Sequence, residues 1–352
     1  MLAYVGCRTT AERNARGRGI EIYDVAADGT WHHLGTEGGL VNPSFLALSP
    51  VGDRLYVVHG DGDTVSAFAV GRDGALSMMG SRPCGGRNPV HLVVHAWSGN
   101  LFVANYATGS VARLPIGPDG ALEDSAQVLD LPGLPGPHRT QQRGSHPHQI
   151  LLDPAGRRAI VPDKGLDSVF VLSLGEAGAL GLNTDQPPRG REGAGPRHAV
   201  FHPSGNALFL ANELDSTVTT FRYDAESGRL EAREIVSVLP PDCLTTSHAA
   251  GIALTPCGRW LYVSNRGHDS VTLLAVDPER LTVRLMAVTK TGGAKPRFLT
   301  LDPDGSHLVV AHEDSDTLAV LTVDPGTGAL SPTGPVVRTG SPVCVVFGGR
   351  TS

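Results

Sequence analysis

Apolar and polar residues follow one repeated pattern that occurs six times along the chain. Each copy contains an apolar strand, a glycine turn, a second apolar strand, a polar turn and a third, alternating strand, as in FLALSPVGDRLYVVHGDGDTVSAFAV and GIALTPCGRWLYVSNRGHDSVTLLAV. Alternation bounded by Gly, Asp and Asn turns predicts three short strands per copy, and a fourth, more variable strand follows. Four strands every ~40–50 residues indicate the blades of a β-propeller.

The starts of the first strands give the number of blades. Six starts contain a proline, and His248-Ala249-Ala250 has the same register without one. The last start, SPVCVVF, has no strands after it, whereas LAYVGC and RGIEIYDV look like a second and a third strand without a first. We therefore predict an all-β, seven-bladed β-propeller that forms a single domain over residues 1–352. The C-terminal strand is expected to pair with the N-terminal blade, because such closure removes exposed sheet edges.

Composition agrees with a turn-rich β-protein and excludes several other classes. The 44 glycines and 26 prolines make up 70 of 352 residues, about a fifth of the chain, against a usual share near ~12%. A hydrophobic content of 40% argues against disorder, and a net charge of −6 argues against a nucleic-acid partner. No apolar run approaches the ~20 residues of a membrane span. Scattered cysteines and the lack of a secretory pattern at the N-terminus lead us to expect a cytoplasmic protein.

Two positions in each blade are expected to meet at one mouth of the propeller. The beginning of strand one and the end of strand two lie at the same rim, and the innermost strand lines the channel, where ligands usually bind. At the strand-one start the sequence has Ser44, Val90, His148, Arg197, Ala250, Arg297 and Val343. At the strand-two end we assign Cys7, Gly60, Tyr106, Lys164, Glu213, Arg266 and Glu313.

The middle blades contribute the chemically distinctive side chains at this rim. They are His148, Lys164, Arg197, Glu213 and Arg266. A repeat that only had to fold would have no reason to differ in this way between copies. Arg197 and Arg266 carry the fork of donors that suits carboxylate and phosphate groups. A plain salt bridge with Glu213, which lies between them in blade order, is the structural alternative.

Other polar residues at the rim have both a structural and a functional interpretation. Asn105 recurs with Asn212 and Asn265 at one position, which is typical of side chains that hold turns. His268 lies in a polar turn, where a solvated role is the simpler interpretation. Both are kept in a set of four candidate substrate-binding residues: Asn105, Lys164, His268 and Arg297.

A long polar segment, residues 132–145, delays the blade start at His148 and is expected to lie over the same rim. Its polarity fits a functional lid or a spacer. Acyl-enzyme chemistry and dinucleotide binding lack support, because no serine lies in a G-x-S-x-G elbow and no glycine-rich loop opens a helix. The histidines and cysteines do not have the spacing of metal ligands, so no metal site is predicted.

The rim residues lie in stretches that closely resemble the seven-bladed propeller lactonase family, which contains 6-phosphogluconolactonases and fungal carboxymuconate cyclases. The most specific stretches are GSHPHQILLDPAGRRAIVPDKGLD, GAGPRHAVFHPSGNALFLANELDSTV and LYVSNRGHDSV, and the resemblance covers nearly the whole chain. It implies no metal or organic cofactor. Lys164 departs from the family, which more usually has an apolar residue after the Asp. The resemblance implies that the catalytic residues are His148, Arg197, Glu213 and Arg266.

Lactone hydrolysis suits these residue types, because it needs an activated water, a stabilised oxyanion and a protonated leaving group. We expect Glu213 to act as general base and His148 as general acid, or the reverse, while the arginines hold the substrate anion or the oxyanion. On this view Glu213→Gln lowers kcat strongly and leaves melting nearly unchanged. The expected partner is a small anionic lactone, most readily a phosphosugar lactone. Carboxymuconate cyclisation at the same residues is the alternative, and a non-catalytic binding scaffold is the third interpretation.

Overall fold

The computed structural model describes residues 1–182 and 190–349, and its strands form seven antiparallel sheets arranged as blades. Blade 1 contains β1 (Leu2–Cys7), β2 (Gly19–Val25) and β3 (Trp31–Gly38); blade 2 contains β4 (Pro43–Leu48), β5 (Arg54–His59), β6 (Thr64–Val70) and β7 (Leu76–Pro83). Blade 3 contains β8 (Pro89–His95), β9 (Asn100–Asn105), β10 (Ser110–Pro115) and β11 (Gln127–Asp130). Blade 4 contains β12 (Leu151–Leu152), β13 (Arg158–Asp163), β14 (Ser168–Leu174) and β15 (Leu180–Leu182).

The remaining strands complete the ring. Blade 5 contains β16 (Pro196–Phe201), β17 (Ala207–Asn212), β18 (Thr217–Tyr223) and β19 (Leu230–Ser237); blade 6 contains β20 (His248–Leu254), β21 (Trp260–Arg266), β22 (Ser270–Asp277) and β23 (Thr282–Lys290). Blade 7 contains β24 (Pro296–Leu301), β25 (His307–His312), β26 (Thr317–Val323), β27 (Leu330–Pro332) and β28 (Val337–Arg338). The described helices are single 3₁₀ turns at Ala11–Arg13, Ala96–Ser98 and Glu176–Gly178, and none is long and apolar enough to cross a membrane.

The last strand closes the ring in blade 1. β29 (Pro342–Gly348) is the innermost strand of that blade, and it pairs antiparallel with β1 through Ala3 opposite Phe347 and Val5 opposite Val345. The predicted seven-bladed fold and its mode of closure are therefore confirmed.

The hydrophobic core lies between adjacent blades, where the faces of neighbouring sheets pack together. One cluster joins Tyr4 and Ile20 of blade 1 to Leu55 and Phe68 of blade 2, and the clusters between the other blades are built in the same way. Each sheet is too small to bury its faces alone, so the blades depend on their neighbours for stability. The hydroxyl of the fully buried Tyr4 is satisfied within this interface, since it donates to the carbonyl oxygen of Gly74 at 3.0 Å.

A β-bulge at the start of the innermost strands determines which side chains face the channel. In blade 5, Pro196 pairs with Asn212 and His198 pairs with Ala211, so Arg197 is an extra residue without a partner. Neighbouring residues of a regular strand point to opposite faces, but the bulge lets Arg197 and His198 line the same cavity. The same register shift occurs at Ser44, Val90 and Arg297.

Candidate active site

Backbone hydrogen bonds identify the equivalent residue at the end of strand two in each blade. Its N–H donates to a carbonyl at the entry to strand one, as Glu213 does to Gly195, directly before β16, at 2.7 Å. In blade 4 Lys164 donates to His146 at 3.0 Å, beside the isolated bridge between Pro147 and Asp163 that precedes the short β12. In blade 1 this donor is Arg8, whose N–H bonds to the carbonyl of Ser341 at 3.0 Å. The corresponding residues of the other blades are Gly60, Tyr106, Arg266 and Glu313.

The assignment of Cys7 to this position is therefore wrong by one residue. Cys7 pairs with Pro342 inside the sheet, and its side chain is fully buried. The true rim residue, Arg8, is also buried, but it reaches the cavity at the mouth of the channel. The rim residue of blade 1 therefore brings a guanidinium group to the mouth of the channel, where the sequence predicted a thiol.

Three cations surround one carboxylate in the middle of the rim. Lys164 Nζ donates to Glu213 Oε1 at 2.6 Å, and Arg197 Nε donates to Glu213 Oε2 at 2.9 Å. Arg266 completes the cluster with an Nη2 atom 3.1 Å from Glu213 Oε2. Exposed fractions of these four side chains lie between 3% and 13%. With three positive charges and one negative charge, the cluster carries a net charge of +2.

The cations keep the glutamate ionised and weaken it as a base. Burial alone would raise the pKa of Glu213, but Arg266, Lys164 and Arg197 outweigh burial and hold that pKa well below its usual range. A carboxylate stabilised in this way has a low affinity for a proton. The geometry therefore favours Glu213 as the group that holds the cations in place over Glu213 as the group that activates water.

His148 has the properties of a neutral base beside this cluster. Burial lowers its pKa well below the usual value, and the charge of Arg197 lowers it further. The ring lies 5.6 Å from Tyr106 and 5.2 Å from His198, centroid to centroid, both edge-on. Its Nδ1 atom is buried without a hydrogen-bond partner among the described residues. The ring is therefore neutral at pH 7, so it can accept a hydrogen bond from water but cannot start the reaction as an imidazolium acid.

A cavity of about 20 Å³ lies at the mouth of the channel, enough to hold one water molecule. It brings His148 and Arg197 together with Arg297, so three of the predicted site residues share one space. Arg197 is fixed from behind, because its Nη1 atom donates to the carbonyl of Ala250 at 2.7 Å. The remaining lining residues are Arg8, Ser44, Phe45, Val90, His198, Phe298 and Val343.

Residues 132–145 lie against the same rim, as predicted, and supply a contact that the sequence did not reveal. Gln141 Oε1 accepts a hydrogen bond from Lys164 Nζ at 2.8 Å. Gln142, only 2% exposed, donates to the Lys164 carbonyl at 2.9 Å and to Asp167 Oδ1 at 2.7 Å. Two adjacent glutamines thus anchor the segment to the strand end that carries Lys164.

The structure does not bring Asn105 or His268 into the cluster. Asn105 is fully buried and donates to the carbonyl of Cys84 at 3.2 Å, so its amide holds the local backbone. His268 Nδ1 lies 2.8 Å from the hydroxyl of Ser270 in its own turn. Since neither contacts Glu213 or lines the cavity, within the part of the chain that the structure describes, their assignment to substrate binding is withdrawn.

A metal ion would need several donor side chains placed together within residues 1–182 and 190–349. No group of three or more His, Cys, Asp or Glu side chains in those ranges is placed to hold a metal ion. The described site combines the cations Lys164, Arg197 and Arg266 around Glu213 with the neutral imidazole of His148.

Comparison with known proteins gives the family. The sequence model described as "Lactonase, 7-bladed beta-propeller" matches residues 2–347. A 6-phosphogluconolactonase of Bacillus subtilis (strain 168) is 29% identical over 313 residues, which cover 88% of each chain. A 6-phosphogluconolactonase of Pectobacterium carotovorum subsp. carotovorum (strain PC1) is 32% identical over 317 residues, covering 89% of this chain and 90% of the relative.

Solved structures agree with this assignment over the whole fold. The Pseudomonas aeruginosa periplasmic gluconolactonase superposes with a TM-score of 0.91 at 28% identity and covers 99% of both chains. A protein from Lactobacillus plantarum gives a TM-score of 0.90 at 30% identity, with 98% of both chains covered. The prediction of a lactone hydrolase is confirmed at the level of enzyme class, and the chain belongs to the seven-bladed β-propeller lactonase family.

Proposed function

We propose that the protein hydrolyses an anionic sugar lactone, with 6-phosphoglucono-δ-lactone as the first substrate to test. The observation that carries the proposal is the meeting, at one mouth, of a neutral buried imidazole with a cluster of net charge +2. The imidazole can take a proton from water, and the excess positive charge favours an anionic substrate. The names of the relatives from Bacillus subtilis and Pectobacterium carotovorum support the choice of the phosphorylated lactone.

His148 acts as the general base in the proposed reaction. It accepts a proton from a water molecule as the water oxygen attacks the lactone carbonyl. Arg197 and Arg266 stabilise the negative charge that develops on the carbonyl oxygen, because both are already held in place by Glu213. When the ring C–O bond breaks, the His148 imidazolium returns its proton to the leaving alkoxide. One residue therefore serves first as base and then as acid, and the product is the open hydroxy acid.

Glu213 acts as a positioning residue in this scheme. Its two carboxylate oxygens bind three cations that would otherwise repel one another and turn towards solvent. This differs from the simpler scheme in which the glutamate activates water. The reason for preferring His148 is geometric: cations occupy both carboxylate oxygens of Glu213, whereas His148 lines the cavity and its Nδ1 atom has no hydrogen-bond partner among the described residues.

The test is the hydrolysis of freshly generated 6-phosphoglucono-δ-lactone, corrected for spontaneous opening. Wild type is compared with His148→Gln and with a matched control, His32→Gln, which alters an exposed histidine on the outer strand of blade 1. We expect His148→Gln to lower kcat by ~10²–10⁴-fold with a small change in KM, because general base catalysis contributes about that much. The control is expected to turn over at the wild-type rate.

Two outcomes would contradict the proposal. If folded His148→Gln keeps the full rate, His148 is not the base, and Glu213 returns as the candidate. If the wild type opens neither the phosphorylated nor the unphosphorylated lactone above the spontaneous rate, the proposal that the protein hydrolyses sugar lactones is wrong. Carboxymuconate would then be the next substrate, since its cyclisation needs the same anion binding and proton transfer.

A further inference from the structure

A second pair of cations, one buried and one partly exposed, lies across the mouth from the Glu213 cluster. Arg8 projects from the end of β1 in blade 1, and Arg297 from the bulge of β24 in blade 7. Both line the same small cavity as His148 and Arg197, although they come from the opposite arc of the ring. Only 3% of Arg8 is exposed. The mechanism proposed above uses neither residue.

These cations are incompletely paired within the described structure. The carboxylate nearest to Arg8 is that of Asp61, 3.2 Å from Nη1, and Asp61 is shared with Arg13 at 2.8 Å. Arg8 Nε is buried without a hydrogen-bond partner. Arg297 lies 4.0 Å from the closest oxygen of Glu313, the limit for an ion pair. A buried donor without a partner, such as Arg8 Nε, is costly, so its presence beside the cavity indicates a site that a ligand completes.

Ser44 adds a third unused donor, and Gly60 provides the space. The Ser44 hydroxyl is buried with no hydrogen-bond partner and lines the cavity beside Arg8. A Cβ atom on Gly60 would lie 2.6 Å from Arg8 Nη1 and 2.7 Å from Ser44 Oγ. The Arg8 guanidinium and the Ser44 hydroxyl therefore lie close together above Gly60. The equivalent rim residue of every other blade has a side chain that would fill this space.

We propose that Arg8, Arg297 and Ser44 form a subsite for a phosphate monoester of the substrate, on the side of the mouth across from the Glu213 cluster. This inference rests on the proposed function, because it names the substrate class of the same mouth. A planar carboxylate is satisfied by one arginine fork, whereas two forks and a hydroxyl match a group with three equivalent oxygens. The arrangement also leaves Arg197 and Arg266 free to act at the carbonyl.

The electrostatic state of Arg8 agrees with this geometry. Burial lowers its pKa to about 10, and the positive charge of Arg297 is the next contribution. Arg8 therefore stays protonated at neutral pH while experiencing repulsion from a like charge. A bound anion between the two guanidinium groups would offset both the burial and the repulsion.

The experiment measures selectivity between two lactones that differ only in the phosphate. For wild type, Arg8→Met, Gly60→Ala and Gly35→Ala, kcat/KM is determined with 6-phosphoglucono-δ-lactone and with glucono-δ-lactone. We expect the ratio to fall by roughly 10- to 100-fold in Arg8→Met, since a hydrogen bond to a charged group is lost. Gly60→Ala should lower the ratio through a higher KM for the phosphorylated lactone, because its methyl group displaces the guanidinium.

Gly35→Ala is the matched control, since nothing lies within 4 Å of the added methyl group. Its ratio is expected to equal that of wild type. If folded Arg8→Met and Gly60→Ala both keep the wild-type ratio, the subsite is wrong. If wild type opens neither lactone, the proposed function fails, and calorimetric titration with inorganic phosphate decides the subsite separately. Binding that weakens in Arg8→Met supports it, and equal or absent binding overturns it.

Discussion

Replacing Glu213 by Gln removes the single negative charge that three buried cations share. The Glu213 carboxylate contacts Lys164, Arg197 and Arg266 at 2.6 to 3.1 Å, and the amide of the variant brings no negative charge to these cations. Removing one partner of a buried ion pair costs about 3–5 kcal/mol, because the remaining charge is left uncompensated. We therefore expect Glu213→Gln to lower the free energy of unfolding by that amount at pH 7. The expectation from sequence alone, that melting stays nearly unchanged, does not take this burial into account.

The corresponding shift in melting temperature follows from the length of the chain. An unfolding entropy of roughly 2.1 cal/mol/K per residue gives about 0.7 kcal/mol/K for this protein. A loss of about 3–5 kcal/mol then lowers Tm by about 4–7 °C. Differential scanning calorimetry of wild type and variant measures this directly. Glu231→Gln is the control, because Glu231 is 50% exposed and its pair with Arg233 should contribute about 1 kcal/mol or less.

The pH dependence of the difference tests its cause. The pKa of Glu213 is held below its usual value in the folded state, so its contribution to stability is present above the unfolded pKa. As pH falls through the folded pKa, that contribution is lost. The gap in Tm between wild type and Glu213→Gln should be constant above about pH 5 and narrow in stronger acid. A variant that melts within about 1 °C of wild type at pH 7 would refute the view that Glu213 neutralises the cluster.

Three further predictions concern the rest of the ring. Burial lowers the pKa of His91 to about 3, so below about pH 6.5 the unfolded chain binds more protons than the folded one, and the free energy of unfolding falls by up to ~1.4 kcal/mol per pH unit. His91→Phe should make the free energy of unfolding, measured by urea titration, depend less steeply on pH, and an unchanged dependence would contradict this account. Lys164→Met removes the contact with Gln141, so limited proteolysis should cut residues 132–145 faster than in wild type, and equal rates would argue against the anchor. Deleting β29 (Pro342–Gly348) exposes the edge of β1, and size-exclusion chromatography should show aggregates; a monomer that melts cooperatively would mean that closure is dispensable.

The sequence predicts the blades well because turns and alternation are local properties. The glycine turns and the proline-containing strand starts recur in nearly every copy, so both the number of blades and the closing strand could be counted. Glu213 and Arg266 were found for the same reason. Each lies four residues before the third strand of its blade, which begins at Thr217 or Ser270.

The error at Cys7 has a physical origin in the loop that follows it. In blade 1 the rim residue Arg8 is separated from β2, which begins at Gly19, by a longer segment that includes the 3₁₀ turn Ala11–Arg13. The rim residue of this blade therefore cannot be found by counting four residues back from the start of the third strand. The pairing of Cys7 with Pro342 and the hydrogen bond from the Arg8 N–H to Ser341, both across the closed ring, fix the register.

Contacts made by irregular segments and bulges could not be predicted either. Gln141 reaches Lys164 through a segment with no periodic pattern, so the sequence indicates its polarity and nothing about its direction. The bulge that turns both Arg197 and His198 towards the channel breaks the alternation on which strand predictions depend. Asn105 was ambiguous because a turn residue and a ligand at the same rim have the same polar character.

The net charge of +2 around Glu213 also affects what happens after the bond is broken. Opening a lactone turns a neutral ester into a carboxylate, so the product of the proposed reaction has one more negative charge than the substrate. In the proposed mechanism Arg197 and Arg266 stabilise the oxyanion, and they would then attract the product more strongly than they attracted the lactone. Departure of the acid is therefore expected to limit turnover at low salt. Added salt would screen this attraction and speed product release, while slowing the capture of new substrate.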